Sequence, residues 1–274
     1  MGFKFQKTAT VWQFLLVFSS LVICSASYSC ERFEADISLG VRSLTTELSE
    51  YATNGKLLVR ESGVLPGSLA TASIGCDKWV FGLEASSNAG NSDYAGQSSL
   101  GAPLQTTSNN SDSSVAGSVY WRVTEAFLIG SELTQRHTNR EIVGIAGVAG
   151  YPEQYDRILA RIGSRWSVPS ALGHWTLAGS VSLYGDQSMR LTLPGKDALT
   201  LRFDEPQQWE LSVSWRKALS NSVYLLASYR YINTEVGQSR YGVVTSGGNP
   251  VGIAYQPKST IIDQPVSISL GMHF

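Results

Sequence analysis

The feature that most constrains this chain is a two-residue rhythm. From Val266 to the C-terminus, Val266, Ile268, Leu270, Met272 and Phe274 alternate with Ser267, Ser269, Gly271 and His273. Successive side chains of a strand point to opposite faces, so the stretch has one apolar face and one polar or small face. Near the other end, Phe33, Ala35, Ile37, Leu39 and Val41 alternate in the same way with Glu34, Asp36, Ser38, Gly40 and Arg42. Further alternating sets begin at Trp79, Val115, Phe127, Ile158, Trp175, Trp209 and Val223. With a weakly patterned stretch from Leu69 to Cys76, the total is about ten strands, an even number. With 274 residues, 43% of them hydrophobic and 16% charged, the chain suits one large all-β domain. A net charge of −1 gives no electrostatic reason for a nucleic-acid partner.

Alternation alone does not place a chain in a membrane, because a soluble β-sandwich alternates too. The N-terminus supplies the first discriminating signal. Lys4 and Lys7 precede an apolar run through Phe14, Leu15, Leu16, Val17 and Phe18, which ends in Cys24, Ser25 and Ala26. That order predicts a cleaved export leader over 1–26 and a mature domain over 27–274. The run is short for an uncleaved anchor, and Ile23 stands where lipoprotein processing needs a small residue. Beyond the leader, the sequence has no apolar run long enough for a transmembrane helix, which leaves a soluble exported domain or a barrel.

Two patterns favour the barrel. Tight connections at Cys76 to Lys78, Thr124 to Ala126, Pro169 to His174 and Leu219 to Ser222 interleave with long ones rich in Gly, Ser and Asn. The long ones are expected at Ala52 to Gly63, Asn88 to Asp112, Gly144 to Gln154, Pro194 to Pro206 and Gly237 to Lys258. Short turns on the periplasmic side and long connections outside are the arrangement of a transmembrane antiparallel, up-and-down β-barrel. Trp79, Trp121, Phe127, Trp166, Trp175 and Trp215 also fall beside the short turns, on the apolar parity, and predict one aromatic girdle.

The closing Ile268-Ser269-Leu270-Gly271-Met272-His273-Phe274 resembles the C-terminal assembly signal of Gram-negative outer-membrane barrels. The resemblance implies a bacterial outer-membrane location. It also implies that the barrel-assembly machinery recognises Phe274, and that the partners are outer-membrane lipid, lipopolysaccharide and an unidentified extracellular ligand. It names no subfamily.

On the polar parity, the expected lumen carries Glu34, Asp36, Glu84, Glu132 and Glu210 against Arg42, Arg122, Arg136, Arg157, Arg161, Arg165, Arg216 and Arg230. Mixed signs favour a salt-bridged plug, since a barrel of this size is nearly filled by side chains and a buried charge needs a partner. The ladder of Arg157, Arg161 and Arg165 on one strand keeps a narrow anion-preferring channel as the alternative. Enzyme readings find less support. In strand number the chain resembles the omptins, ten-stranded surface proteases, but that family places Asp two residues before His, and Gln135 stands there before His137. Asp93 has no acidic companion, and the serines give no site for a lipid-modifying hydrolase. The expectation is a non-catalytic surface barrel with no catalytic residues, cofactor or metal.

Cys30 and Cys76 are the cysteines left once the leader is removed, and an oxidising periplasm favours bridging them. Topology puts both at one end of the first hairpin. Alternation puts Cys30 on the luminal parity and Cys76 on the other, so the bridge requires the chain ahead of residue 31 to leave strand geometry.

Overall fold

The computed structural model describes Cys30 and residues 33–97, 103–145 and 147–274; the expected leader lies outside them. Alternating sequence becomes strand in chain order: β1 (Phe33–Tyr51), β2 (Leu57–Cys76), β3 (Trp79–Gln97), β4 (Pro103–Arg122), β5 (Phe127–Ile142), β6 (Tyr151–Ser170) and β7 (Gly173–Leu191). There follow β8 (Leu199–Arg202), β9 (Gln207–Ala218), β10 (Val223–Val236), β11 (Gly242–Ser246), β12 (Asn249–Ala254) and β13 (Lys258–His273).

These strands close on themselves. The sheet runs β6-β5-β4-β3-β2-β1-β13-β10-β9-β7-β8, and a further β6–β7 pairing completes the ring. β7 pairs with β9 along its lower half and with β8 near its outer end, so β8 and β9 are two parts of one wall strand and the barrel has ten staves. The first and last staves pair along their length, and at the short-turn end Phe274 N–H donates to Ala35 O at 2.9 Å and Ala35 N–H to Phe274 O at 3.3 Å.

No described helix is long and apolar enough to cross a membrane; the strands cross. Their outward residues form an apolar band, in which Ile37, Leu39, Val41, Ile268 and Leu270 are each more than half exposed. In water that surface would be a liability, whereas in lipid it matches its solvent. Rings bound the band. At the short-turn end, Trp79 meets Trp121 at 4.7 Å and Trp175 lies 6.4 Å from Trp215. Phe127 stands opposite Trp166 there, and Phe274 is exposed. At the other edge Trp209 stacks on Tyr231 at 5.2 Å, and Tyr184 is exposed. About 30 Å of strand separates Trp175 from Tyr184. At a barrel tilt of about 40° this spans about 23 Å, close to the height of an outer-membrane apolar band.

The expected long loops are corrected by the structure: most of their residues belong to strands. β3 and β4 pair without a break from Asn88↔Asp112 to Gln97↔Pro103. The first outer connection shrinks to residues 52–56, and the second strand runs from Leu57 rather than from Leu69. Residues 237–258 hold the β11–β12 hairpin, and the turn between β6 and β7 is only Ala171 and Leu172. The reason is solvent. Past the membrane both faces of a stave meet water or polar neighbours, so the apolar rhythm stops while the backbone ladder continues. Gly, Ser and Asn there read as loop chemistry, yet they build a collar that carries the barrel outward.

Candidate functional site: the charged lumen and its collar

Inward side chains of successive staves meet in layers. At the short-turn end Arg122 Nη2 lies 3.3 Å from Glu34, and Arg216 donates to Asp36 at 2.8 and 3.2 Å, with His273 3.1 Å from the same carboxylate. Two guanidinium groups there also stack on rings, Arg216 on Tyr224 at 3.7 Å and Arg165 on Tyr120 at 4.0 Å. In the middle, Arg230 holds Glu84 in a two-pronged contact, and Arg161 bridges Glu132 and Glu210. Above them Ser86 and Ser114 share a hydrogen bond at 2.9 Å. Next, Arg136 bridges Asp112 and Asp263, while Arg157, directly opposite Arg136, donates to Gln187 at 2.6 Å. Arg42 points into the same region and enters no ion pair among the described residues.

The densest cluster lies higher still, in the collar. Arg140 Nε donates to Glu61 at 2.7 Å, and its Nη1 to Glu153 at 2.9 Å and Glu50 at 3.3 Å. Asn110 and Ser108 also donate to Glu61, Tyr155 to Glu153 at 2.7 Å and Gln256 to Glu50 at 2.7 Å. Three carboxylates thus share one arginine, and all four residues are nearly inaccessible. Burial pushes the Glu50 carboxyl up to about 7 against the opposing pull of Arg140. Although burial alone would lower it, the charges of Glu153 and Glu61 hold Arg140 above its ordinary value, so the guanidinium stays charged. Burial, then the charge of Glu153, raises the Tyr155 phenol, which therefore remains a donor.

Between the Arg136 and Arg140 layers lies a cavity of about 90 Å³, lined by Glu50, Asp112, Arg157, Gln187 and Gln256 among others. Beside it, Met189, Leu191, Leu201, Phe203 and Val236 form an apolar cluster inside the collar wall. The arrangement can seal a passage and can hold the collar strands in register.

The thirteen lumen residues proposed from parity, Glu34, Asp36, Arg42, Glu84, Arg122, Glu132, Arg136, Arg157, Arg161, Arg165, Glu210, Arg216 and Arg230, all lie in these layers. Sequence reasoning missed Glu50, Glu61, Asp112, Arg140, Glu153 and Asp263. Arg140 was findable, since it lies four residues beyond Arg136 on the same parity of one strand.

His137 takes the other parity. It meets Asp156 of β6 at 2.8 Å on the outer wall of the collar, facing away from the lumen. Asp93 lies exposed on β3, two staves away. Cys30 sits ahead of β1, outside strand geometry, and is disulfide-bonded to Cys76 with Cα atoms 5.5 Å apart. Asp77 beside them completes the one metal-type grouping among the described residues, but both its sulfurs are in that bridge.

No protein-family profile matches the chain. No curated protein matches it either. Among solved structures it is similar to the outer membrane protease OmpT from Escherichia coli, with 11% identity over 90% of this chain and 98% of that one, at a TM-score of 0.61. It is also similar to the translocator domain of the autotransporter NalP from Neisseria meningitidis, with 11% identity over 97% and 98% of the two chains and a TM-score of 0.45. The outer membrane protein OprG from Pseudomonas aeruginosa gives 10% identity, 88% and 95% coverage and a TM-score of 0.40. At such identities the likeness is one of fold. Closure, the lipid-matched band, its two girdles and this likeness together make the chain a ten-stranded β-barrel of the bacterial outer membrane.

Proposed function

We propose that the chain is a non-catalytic surface barrel, sealed along its axis, whose collar binds an extracellular ligand or serves the structure of the envelope. One observation carries this reading: arginine–carboxylate layers follow one another up the lumen, with a cavity of about 90 Å³ between the two outermost. A conducting pore keeps a continuous path for the ion through its constriction, and a ring of one charge sign there sets its selectivity. Here the signs are mixed and the side chains are bonded across the axis. Lipopolysaccharide around the band, and the assembly machinery reading Phe274, belong to the same proposal.

Planar-bilayer recording tests it. The purified barrel is expected to pass little current. Stable, anion-selective steps that weaken on Arg161→Gln would instead establish the narrow channel. Peptide cleavage that His137→Ala abolishes would establish a surface hydrolase.

A further inference from the structure

The sequence from Tyr241 to Pro257 contains no charged residue and forms the β11–β12 hairpin. Its two faces differ. Toward β8, Gly242 fits so closely that a Cβ there would fall 2.8 Å from both Leu199 and Leu201, and Val244 is buried. On the other side, Tyr241, Val243, Val251, Ile253 and Tyr255 are all exposed, Ile253 by 71%. They form one surface, with Val243 opposite Ile253 and the two tyrosine rings 5.1 Å apart.

This hairpin is fastened. Asp197, in the turn between β7 and β8, accepts from Thr245 Oγ1 at 2.7 Å and from Gly248 N at 2.9 Å, and its own N–H donates to Thr245 O at 2.9 Å. The apolar surface is therefore held at the outer end of the collar, alongside β8 and the turn that precedes it.

Cations stand at its root. Arg240 N–H donates to Arg202 O at 2.9 Å, which sets two exposed arginines side by side, one at the end of β8 and one in the segment that leads into β11. Exposed Arg190 lies two residues along β7 from Ser188, the partner of Arg202. None of the three forms an ion pair among the described residues. Like charges on neighbouring segments repel, and an anionic surface relieves that repulsion.

We propose that this face docks flat on a second, anionic lipid bilayer lying against the collar. Val243, Val251, Ile253 and the tyrosines enter the headgroup boundary, and Arg202 and Arg240 meet lipid phosphates. An uncharged apolar face with aromatic rings and neighbouring cations is the composition of a membrane-interfacial element. The five side chains expose on the order of 500 Å², enough for an interfacial contact, whereas a stable protein partner needs about 800 Å² a side. The proposal rests on the reading of the chain as a binding barrel and names what it binds.

The test is flotation of the full barrel in nanodiscs with vesicles of phosphatidylcholine alone and of phosphatidylcholine with phosphatidylglycerol. Binding is expected on the anionic vesicles, weakened by salt. It should fall at least about tenfold in Ile253→Asp and on those vesicles alone in Arg240→Gln, each variant checked for the native heat-modifiable band. Wild-type barrels that ignore both vesicles overturn the proposal. So does self-association that Ile253→Asp abolishes, which would assign the face to a second copy. In either case the sealed-barrel reading stands or falls on conductance, not on flotation.

Discussion

Arg140 sits where three carboxylates converge, so its removal should be severe. Arg140→Met leaves Glu50, Glu61 and Glu153 buried without a cation, and is expected to cost about 3–5 kcal/mol, read from the unfolding of the folded band. Arg60→Met, which breaks an exposed pair with Glu47 at 3.0 Å, should stay within about 0.5 kcal/mol. Glu50 adds a pH dependence whose sign follows from its upward shift to about 7. The folded collar binds that proton more tightly than the unfolded chain does, so its stabilisation is complete below the unfolded carboxylate range and is lost as pH rises through about 7. The protection of collar amides against hydrogen exchange, taken relative to the intrinsic rate at each pH, should therefore be greater at about pH 5 than at about pH 8, and Glu50→Gln should remove most of that difference. Lumen charges such as Glu84 and Arg230 were legible because they share a strand with an apolar outward set. Glu50 and Glu61 were not, since no apolar neighbour marks their parity.

Each stave combines a lipid-facing half with a hydrated half, and only the first leaves a period in the sequence. β3 shows it: Trp79, Phe81, Leu83 and Ala85 alternate, then Ser86 to Gln97 continues the ladder in Ser, Asn, Gly and Ala. The girdle at the short turns was legible for the same reason, whereas Trp209 and Tyr231 read only as members of their alternating sets, because no row of rings marks the far edge in the sequence. Orientation can be checked at two turns. A tag inserted at Gly247 should be reached by antibody on intact cells, and one at Asp77 should not; the reverse result would invert the barrel. The hairpin of β1 and β2 carries the disulfide, which spans 46 residues of sequence. Thiol labelling of the denatured, unreduced protein should find neither Cys30 nor Cys76 free. Reduction should lower stability by about 3–4 kcal/mol.

As a whole the molecule is a cylinder matched to lipid outside and lined with charge inside, most of it paired, and carried outward by a collar that ends in an uncharged hairpin. Closure needed no more than an even number of alternating segments and a seam, which the β1–β13 ladder makes from Asp36↔His273 to Tyr51↔Lys258. The central claim is that the lumen admits nothing from either side. Ser86→Cys tests it most directly, because that inward position lies between the Glu84–Arg230 and Asp112–Arg136 contacts and is almost inaccessible. In the intact barrel a small, charged, membrane-impermeant thiol reagent is expected to leave Cys at position 86 unmodified from both sides, and to modify it fully after denaturation. Rapid modification in the folded barrel would contradict the account and give the lumen an open path.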